Sequence, residues 1–177
     1  MKLLTTLKQK DLSAVSAQQL IIDSDLKDDL QPIQIDRFQC YTISGNFNKD
    51  ALLGAVQESY IFANPNKHHL IIENTNLLSP QSIYFDVERI TPLHLNSKVF
   101  QLRKYLENDE SIESVVMSDL WGFKYPDRCE FDSDTIETII ERYVLSSSNN
   151  IAPFAHPMIH RITPYSFDKL THSLHAS

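Results

Sequence analysis

The sequence predicts an α+β fold made of two similar halves, each an antiparallel sheet covered by helices. In both halves, apolar residues alternate as in strands and recur at helical spacing in the segments between them. Strands, helix caps and helices follow the same order in each half. A polar stretch with a proline, residues 74–81, separates the halves. We therefore expect one half in residues 1–78, a second in residues 79–165 and a polar tail in residues 166–177.

The first half is predicted to run strand, helix, strand, helix, strand. Its elements are a strand in residues 2–7, a helix capped by Ser13 that ends near Ile22, a strand in residues 33–43, a helix capped by Asn48 and a strand in residues 70–72. Phe38, Cys40 and Ile43 favour a pleated, partly buried strand. Ser44-Gly45 is typical of a turn, and Asn64-Pro65 of a helix exit, because proline cannot continue a helix.

The second half repeats this order with one insertion. Its elements are a strand in residues 83–90, a helix capped by Ser97, a long strand in residues 112–125 with a bulge at Gly122, and a helix from Asp132 or Ser133 to Val144. A single shift, which takes Phe47 to Phe131, aligns the halves up to the insertion in residues 146–153. Elements in this order form a helix-covered antiparallel sheet of the ferredoxin-like type.

One stretch, residues 37–73, resembles a known family. It carries Tyr41-Thr42-Ile43-Ser44-Gly45 at the end of a strand, Asp50 in an acidic turn, and Phe62-Ala63-Asn64-Pro65 at a helix exit. These pieces resemble the PurS family and the PurS-like amino-terminal region of phosphoribosylformylglycinamidine synthases. The chain departs from the family after its first strand, where Gln9-Lys10 replaces a Pro-Gly turn.

The resemblance implies two PurS-type halves packed as a fused pseudo-dimer. It further implies a non-catalytic subunit of the formylglycinamidine ribonucleotide synthase system of de novo purine biosynthesis, which bridges the synthetase and the glutaminase of this ligase complex. ATP and Mg²⁺ would belong to the synthetase, so this chain would need no cofactor and would not be an enzyme on its own. The alternative is a ferredoxin-like module outside the purine pathway that binds a small regulatory molecule.

Contact with a partner is expected at the helix exit and along the aromatic strand. The predicted contact residues are Asn64, Pro65, His68, Trp121, Phe123 and Tyr125. The three aromatic residues alternate, so they share one face of their strand. Burial between the halves or against a partner is favoured over RNA stacking, because basic residues are sparse around them.

No catalytic, cofactor-binding or metal-binding residue is predicted. His68 and His69 point to opposite faces of a strand, and Pro157 disrupts the helical spacing of His156 and His160. Neither a zinc-protease HExxH motif nor a serine-hydrolase GxSxG motif occurs. Cys40 is expected to be a buried, unreactive thiol within a strand.

Composition excludes several further classes of protein. A formal net charge of −7 disfavours a general nucleic-acid binder, and only 3 glycines rule out the usual Gly-rich phosphate loops. The apolar run near the start, LL, is too short for a signal peptide, and no stretch approaches the roughly 18 apolar residues of a membrane span. A cytoplasmic protein with reduced cysteines is expected, and homo-oligomer formation is left open.

Overall fold

The structure is a computed structural model that describes residues 1–23, 30–72, 78–79, 81–107, 109–125, 131–145, 154–155 and 158–165. Its elements in the first half of the chain are β1 (Lys2–Leu7), α1 (Leu12–Asp23), β2 (Gln34–Gly45), α2 (Lys49–Glu58) and β3 (His68–Ile71). Those in the second half are β4 (Ser82–Arg89), β5 (Leu93–His94), α3 (Asn96–Tyr105), β6 (Ile112–Lys124), α4 (Ser133–Ile139), a π-helical turn (Ile140–Val144) and β7 (His160–Tyr165). The predicted tail, the insertion, Cys129 and His156-Pro157 lie outside the described residues.

The described strands form one antiparallel sheet in the order β3-β1-β2-β6-β4-β7, and the short β5 pairs with β6. The central ladder joins β2 to β6, from Gln34 opposite Lys124 to Ser44 opposite Ser114. The sheet and its four α-helices among the described residues confirm the predicted mixed α+β class. The sequence predicts a separate sheet in each half. In the structure, the pairing of β2 with β6 joins the strands of both segments in one continuous sheet.

All four α-helices cover the same face of this sheet. Odd-numbered residues of β2 point to one face because side chains alternate along a strand. Ile35 packs with Ala14 and Ala17 of α1 and with Ile139 of α4. Tyr41 and Ile43, on that same face, pack with side chains from α2 and α3. None of the described helices is both long enough and apolar enough to cross a membrane.

Strand residues whose side chains point to the opposite face form a smaller apolar cluster together with Leu78. Its members are Leu4, Phe38, Cys40, Ile71, Leu78, Tyr84 and Leu120. The rings of Phe38 and Tyr84 meet edge to face, with centroids 6.2 Å apart. Successive apolar side chains of β2 are therefore buried on opposite faces of the sheet.

The predicted helix caps are confirmed in two helices and wrong in two. Asn48 accepts hydrogen bonds from the backbone N–H groups of Asp50 and Ala51, and Asp132 accepts one from Thr135. Leu95, rather than Ser97, precedes α3 and provides no side-chain cap. In α1 the cap is Asp11, whose Oδ1 accepts the Ser13 N–H at 2.8 Å, so Ser13 itself lies inside the helix.

The break in strand regularity lies at Gly45 rather than at Gly122. The β2–β6 register shifts between Ser44 and Gly45, where Gly45 has a φ of 143°. A Cβ atom at this position would lie 2.0 Å from the backbone oxygen of Ser111. Only glycine fits both this conformation and this close approach, which explains the glycine that ends the Tyr41–Gly45 segment.

We expect Gly45→Ala to lower the free energy of unfolding by about 1–3 kcal/mol, because it combines a strained backbone with a steric clash. Gly54→Ala is the matched control, since a Cβ at this helical position meets nothing within 4 Å. The control should be neutral or stabilising by up to roughly 1 kcal/mol. Urea unfolding of both variants tests the expectation, which is wrong if the two are equally stable.

Candidate functional site

A cleft of about 570 Å³ opens beside the first turn of α1. We call it the α1 cleft. Its wall is formed by the end of β1, the following loop through Asp11, the start of α1, two residues of β2, and the turn of residues 66–68. Three separate stretches of the chain, residues 5–13, two residues of β2 and residues 66–68, thus converge on one concave surface, which is how small-molecule sites are commonly built.

The predicted helix exit shapes one side of the cleft. The Asn64 carbonyl accepts hydrogen bonds from the N–H groups of Lys67 and His68, at 2.9 and 2.8 Å. The Asn64 side-chain oxygen accepts one from the Asn66 N–H, and the backbone N–H of Asn64 donates to His68 Nδ1 at 3.1 Å. The Lys8 N–H donates to the Lys67 carbonyl at 2.8 Å and so ties this turn to the loop after β1.

Three of the predicted contact residues therefore lie at or near the cleft. His68 lines it, whereas Asn64 and Pro65 are exposed in the turn that positions His68. Pro65 and His68 also line a smaller hollow of about 270 Å³ beside α2. The sequence predicts that a helix exits at Asn64-Pro65, whereas α2 already ends at Glu58 and Asn64 and Pro65 lie in a separate turn. The partner contact at this turn stays a prediction.

Arg37 is the charged group at the centre of the site. Its Nη2 and Nε atoms both donate to Asp119 Oδ1, at 2.9 and 3.2 Å. Its Nη1 atom has only longer contacts, 3.4 Å to Ser13 Oγ and 4.0 Å to Asp11 Oδ2. The guanidinium also lies over the Trp121 ring, 5.5 Å from the ring centroid. Arg37 thus connects β2, β6 and the start of α1.

A polar band continues from Arg37 across the helix-covered face. Gln39 pairs with Asp119 across the central ladder, and its Oε1 accepts the Tyr41 hydroxyl at 2.9 Å. Burial raises the pKa of Tyr41 above its usual value, so its hydroxyl is kept as a donor. The band lies between the two apolar clusters of this face, and the cleft opens above it.

The aromatic strand lies in the core rather than on a contact surface. Trp121, Phe123 and Tyr125 are 6%, 0% and 2% exposed. All three belong to the cluster formed with α1, α4 and β4. Trp121 meets Phe154 edge to face at 4.7 Å. In this structure the chain itself covers these side chains. The predicted partner surface along this strand is therefore corrected to burial against α1 and α4.

Lys98 is a second cation that the sequence did not single out. It lies over the rings of Tyr41 and Phe62, 5.5 and 5.0 Å from their centroids, and donates to the Ile61 carbonyl. Burial lowers its pKa. These contacts hold α3 against the segment after α2, so we assign Lys98 a structural role.

Sequence reasoning missed Arg37, Lys10 and Lys67 as parts of one site. Only Arg37 could have been recognised from the sequence, because its side chain points to the same face of the strand as the apolar Ile35 and Tyr41. A charged residue at a helix-covered position requires a partner, and the partner here is Asp119. The two lysines are far from Arg37 in sequence, Lys10 in a loop and Lys67 in a turn, so no periodicity connects them.

Within the described residues, no group of three or more His, Cys, Asp and Glu side chains is arranged to hold a metal ion. Cys40 is buried as expected. Desolvation, followed by the nearby Asp86 carboxylate, raises the pKa of Cys40 from 9.0 to about 12. Its thiol is therefore protonated at neutral pH and is a poor nucleophile.

The raised pKa of Cys40 predicts a loss of stability in alkali. The unfolded chain releases the thiol proton above pH 9.0, whereas the folded chain retains it to about pH 12. The contribution of the protonated thiol to the free energy of unfolding is complete below pH 9.0. It is lost as the pH rises from 9.0 to about 12, and the free energy of unfolding then falls by up to about 1.4 kcal/mol per pH unit. In a Cys129→Ser background, urea unfolding from pH 8 to 10.5 should show this extra slope with Cys40 and not with Cys40→Ala. Parallel curves would contradict it.

No family model matches the chain, and neither curated proteins nor solved structures yield a match.

Proposed function

We propose that the chain is a small-molecule-binding regulatory module whose ligand site is the α1 cleft. The observation that carries the proposal is the cleft itself. Its volume, about 570 Å³, lies within the range of roughly 300–1,000 Å³ common for ligand pockets. Polar groups from three segments line it, and the sheet and α1 form its floor and one side. Rigid walls lower the entropic cost of binding.

A thermal-shift screen with amino acids, sugars and nucleotides tests this function. A ligand at 100 times its dissociation constant should stabilise the fold by about 2.7 kcal/mol. For a chain of this size that raises Tm by roughly 5–10 °C. Ser13→Phe should abolish the shift, because it places a ring in the cleft from an exposed position.

Ser16→Phe is the matched control for the blocking variant. Ser16 is also exposed on α1, but its side chain lies outside the α1 cleft, so this variant should keep the full shift. A ligand that stabilises both phenylalanine variants equally binds elsewhere. A broad screen without any shift would refute the proposed function.

The second candidate is the PurS-like bridging subunit, supported by repeated topology. In each predicted half the first strand lies between two later ones, β1 between β2 and β3, and β4 between β6 and β7, and the second half adds the short β5. The resembling stretch forms β2, the Gly45 turn, α2 and β3, in the expected order. Such a chain would present two faces, one to a synthetase that holds ATP and Mg²⁺ and one to a glutaminase. Asn64, Pro65 and His68 remain its proposed contact residues.

Co-purification from native cells with ATP, magnesium and glutamine tests the bridging role. We expect both a synthetase and a glutaminase to be recovered with the tagged chain. Pro65→Glu should reduce this recovery, because it places a charge in the proposed contact. Gln101→Glu on α3, another exposed site, is the matched control. Recovery of the chain without either enzyme, or equal recovery with both variants, would argue against this role.

A further inference from the structure

The α1 cleft is a basic site in an acidic protein. Lys10, Arg37 and Lys67 contribute three positive charges to its lining and Asp11 contributes one negative charge, a formal total of +2. The whole chain carries a formal net charge of −7. Among the described residues, Lys10 and Lys67 are exposed and make no ion pair. Two cations without an ion-pair partner in the part of the chain that the structure describes therefore flank a concave space.

Arg37 leaves part of its hydrogen-bonding capacity open on the cleft side. Both of its short hydrogen bonds go to a single oxygen, Asp119 Oδ1. Nη1 has contacts of 3.4 and 4.0 Å to two residues that line the cleft. Charge-assisted hydrogen bonds between guanidinium and carboxylate are typically about 2.7–2.9 Å long. An oxyanion in the cleft would offer Nη1 a shorter and stronger contact than it has now.

From this geometry we infer that the α1 cleft binds a small organic dianion, a phosphate monoester or a dicarboxylate. The inference rests on the ligand-binding function proposed above and specifies its ligand class. A dianion would meet Lys10, Lys67 and the side of Arg37 that faces away from Asp119, and the positive end of α1 lies at the same wall. The volume of about 570 Å³ accommodates an organic body in addition to the anionic group. Arg37 is the positioning contact, and it reaches the ligand from the side opposite Asp119.

The single tryptophan of the chain reports directly on Arg37. Because the guanidinium lies 5.5 Å from the Trp121 ring centroid, its movement toward a ligand changes the surroundings of the indole. We expect a saturable change of fluorescence when ribose 5-phosphate or succinate is titrated at constant ionic strength. Ribose and KCl, which lack the dianion, should give none. The response to one compound and not the other identifies phosphate or dicarboxylate as the preferred group.

Charge variants give opposite and diagnostic effects on the dissociation constant, measured by the same titration and by calorimetry. Lys10→Ala and Lys67→Ala should each weaken binding roughly two- to fivefold, the range for exposed ion pairs. Asp11→Asn should strengthen binding by a similar factor, because it removes a like charge and keeps the oxygen that caps α1. Lys104→Ala, an exposed lysine on α3, is the control and should change nothing.

The outcomes separate this inference from the proposed function. Saturable dianion binding with these signs supports the inference. Binding that is unaffected by Lys10→Ala and Lys67→Ala, or weakened by Asp11→Asn, overturns it. If the screen finds a neutral ligand that Ser13→Phe blocks while no dianion binds, the ligand class is wrong and the binding function stands. If no compound binds, both are refuted.

Discussion

The antiparallel pairing of β2 with β6 is the constraint on which the rest of the structure depends. It joins the segment 1–78 to the segment 79–165 and places Arg37 opposite Trp121 and Gln39 opposite Asp119. A slip of one residue would exchange the two faces of β2 and move Arg37 away from α1. The register is fixed because both faces bury apolar side chains, Ile35 and Tyr41 on one and Phe38 and Cys40 on the other.

This register also explains why a cleft forms beside α1. It places the polar band of Arg37, Gln39 and Asp119 between two apolar clusters on the helix-covered face. An apolar helix face cannot cover such a band without a desolvation penalty for the charged groups. Accordingly α1 packs through Ala14, Ala17 and Ile21 against the neighbouring cluster, and its first turn borders the open space above the polar side chains.

The sequence predicted the elements well and their long-range partners poorly. Alternation along β2 and β6 and the cap at Asn48 are local signals, and the structure agrees with them. The pairing of β2 with β6 is not local, because periodicity shows which face a residue occupies and not which strand lies beside it. For the same reason Trp121 was correctly placed on an apolar face, but its burial beneath the chain's own helices was not distinguished from burial by a partner. The cleft escaped prediction because its cations come from three distant segments.

The partial exposure of the Arg37–Asp119 pair decides what the site can do. The two side chains are 26% and 33% exposed. A pair this accessible contributes no more than about 1 kcal/mol to stability, so the fold depends on the ladder and the apolar clusters instead. A fully buried pair would resist separation, since an unpaired buried charge costs several kcal/mol. Because the guanidinium keeps access to solvent and to the cleft, an anion can compete for it without unfolding the chain. The polar band therefore remains a surface that can respond to a ligand, whereas the strands around it remain fixed.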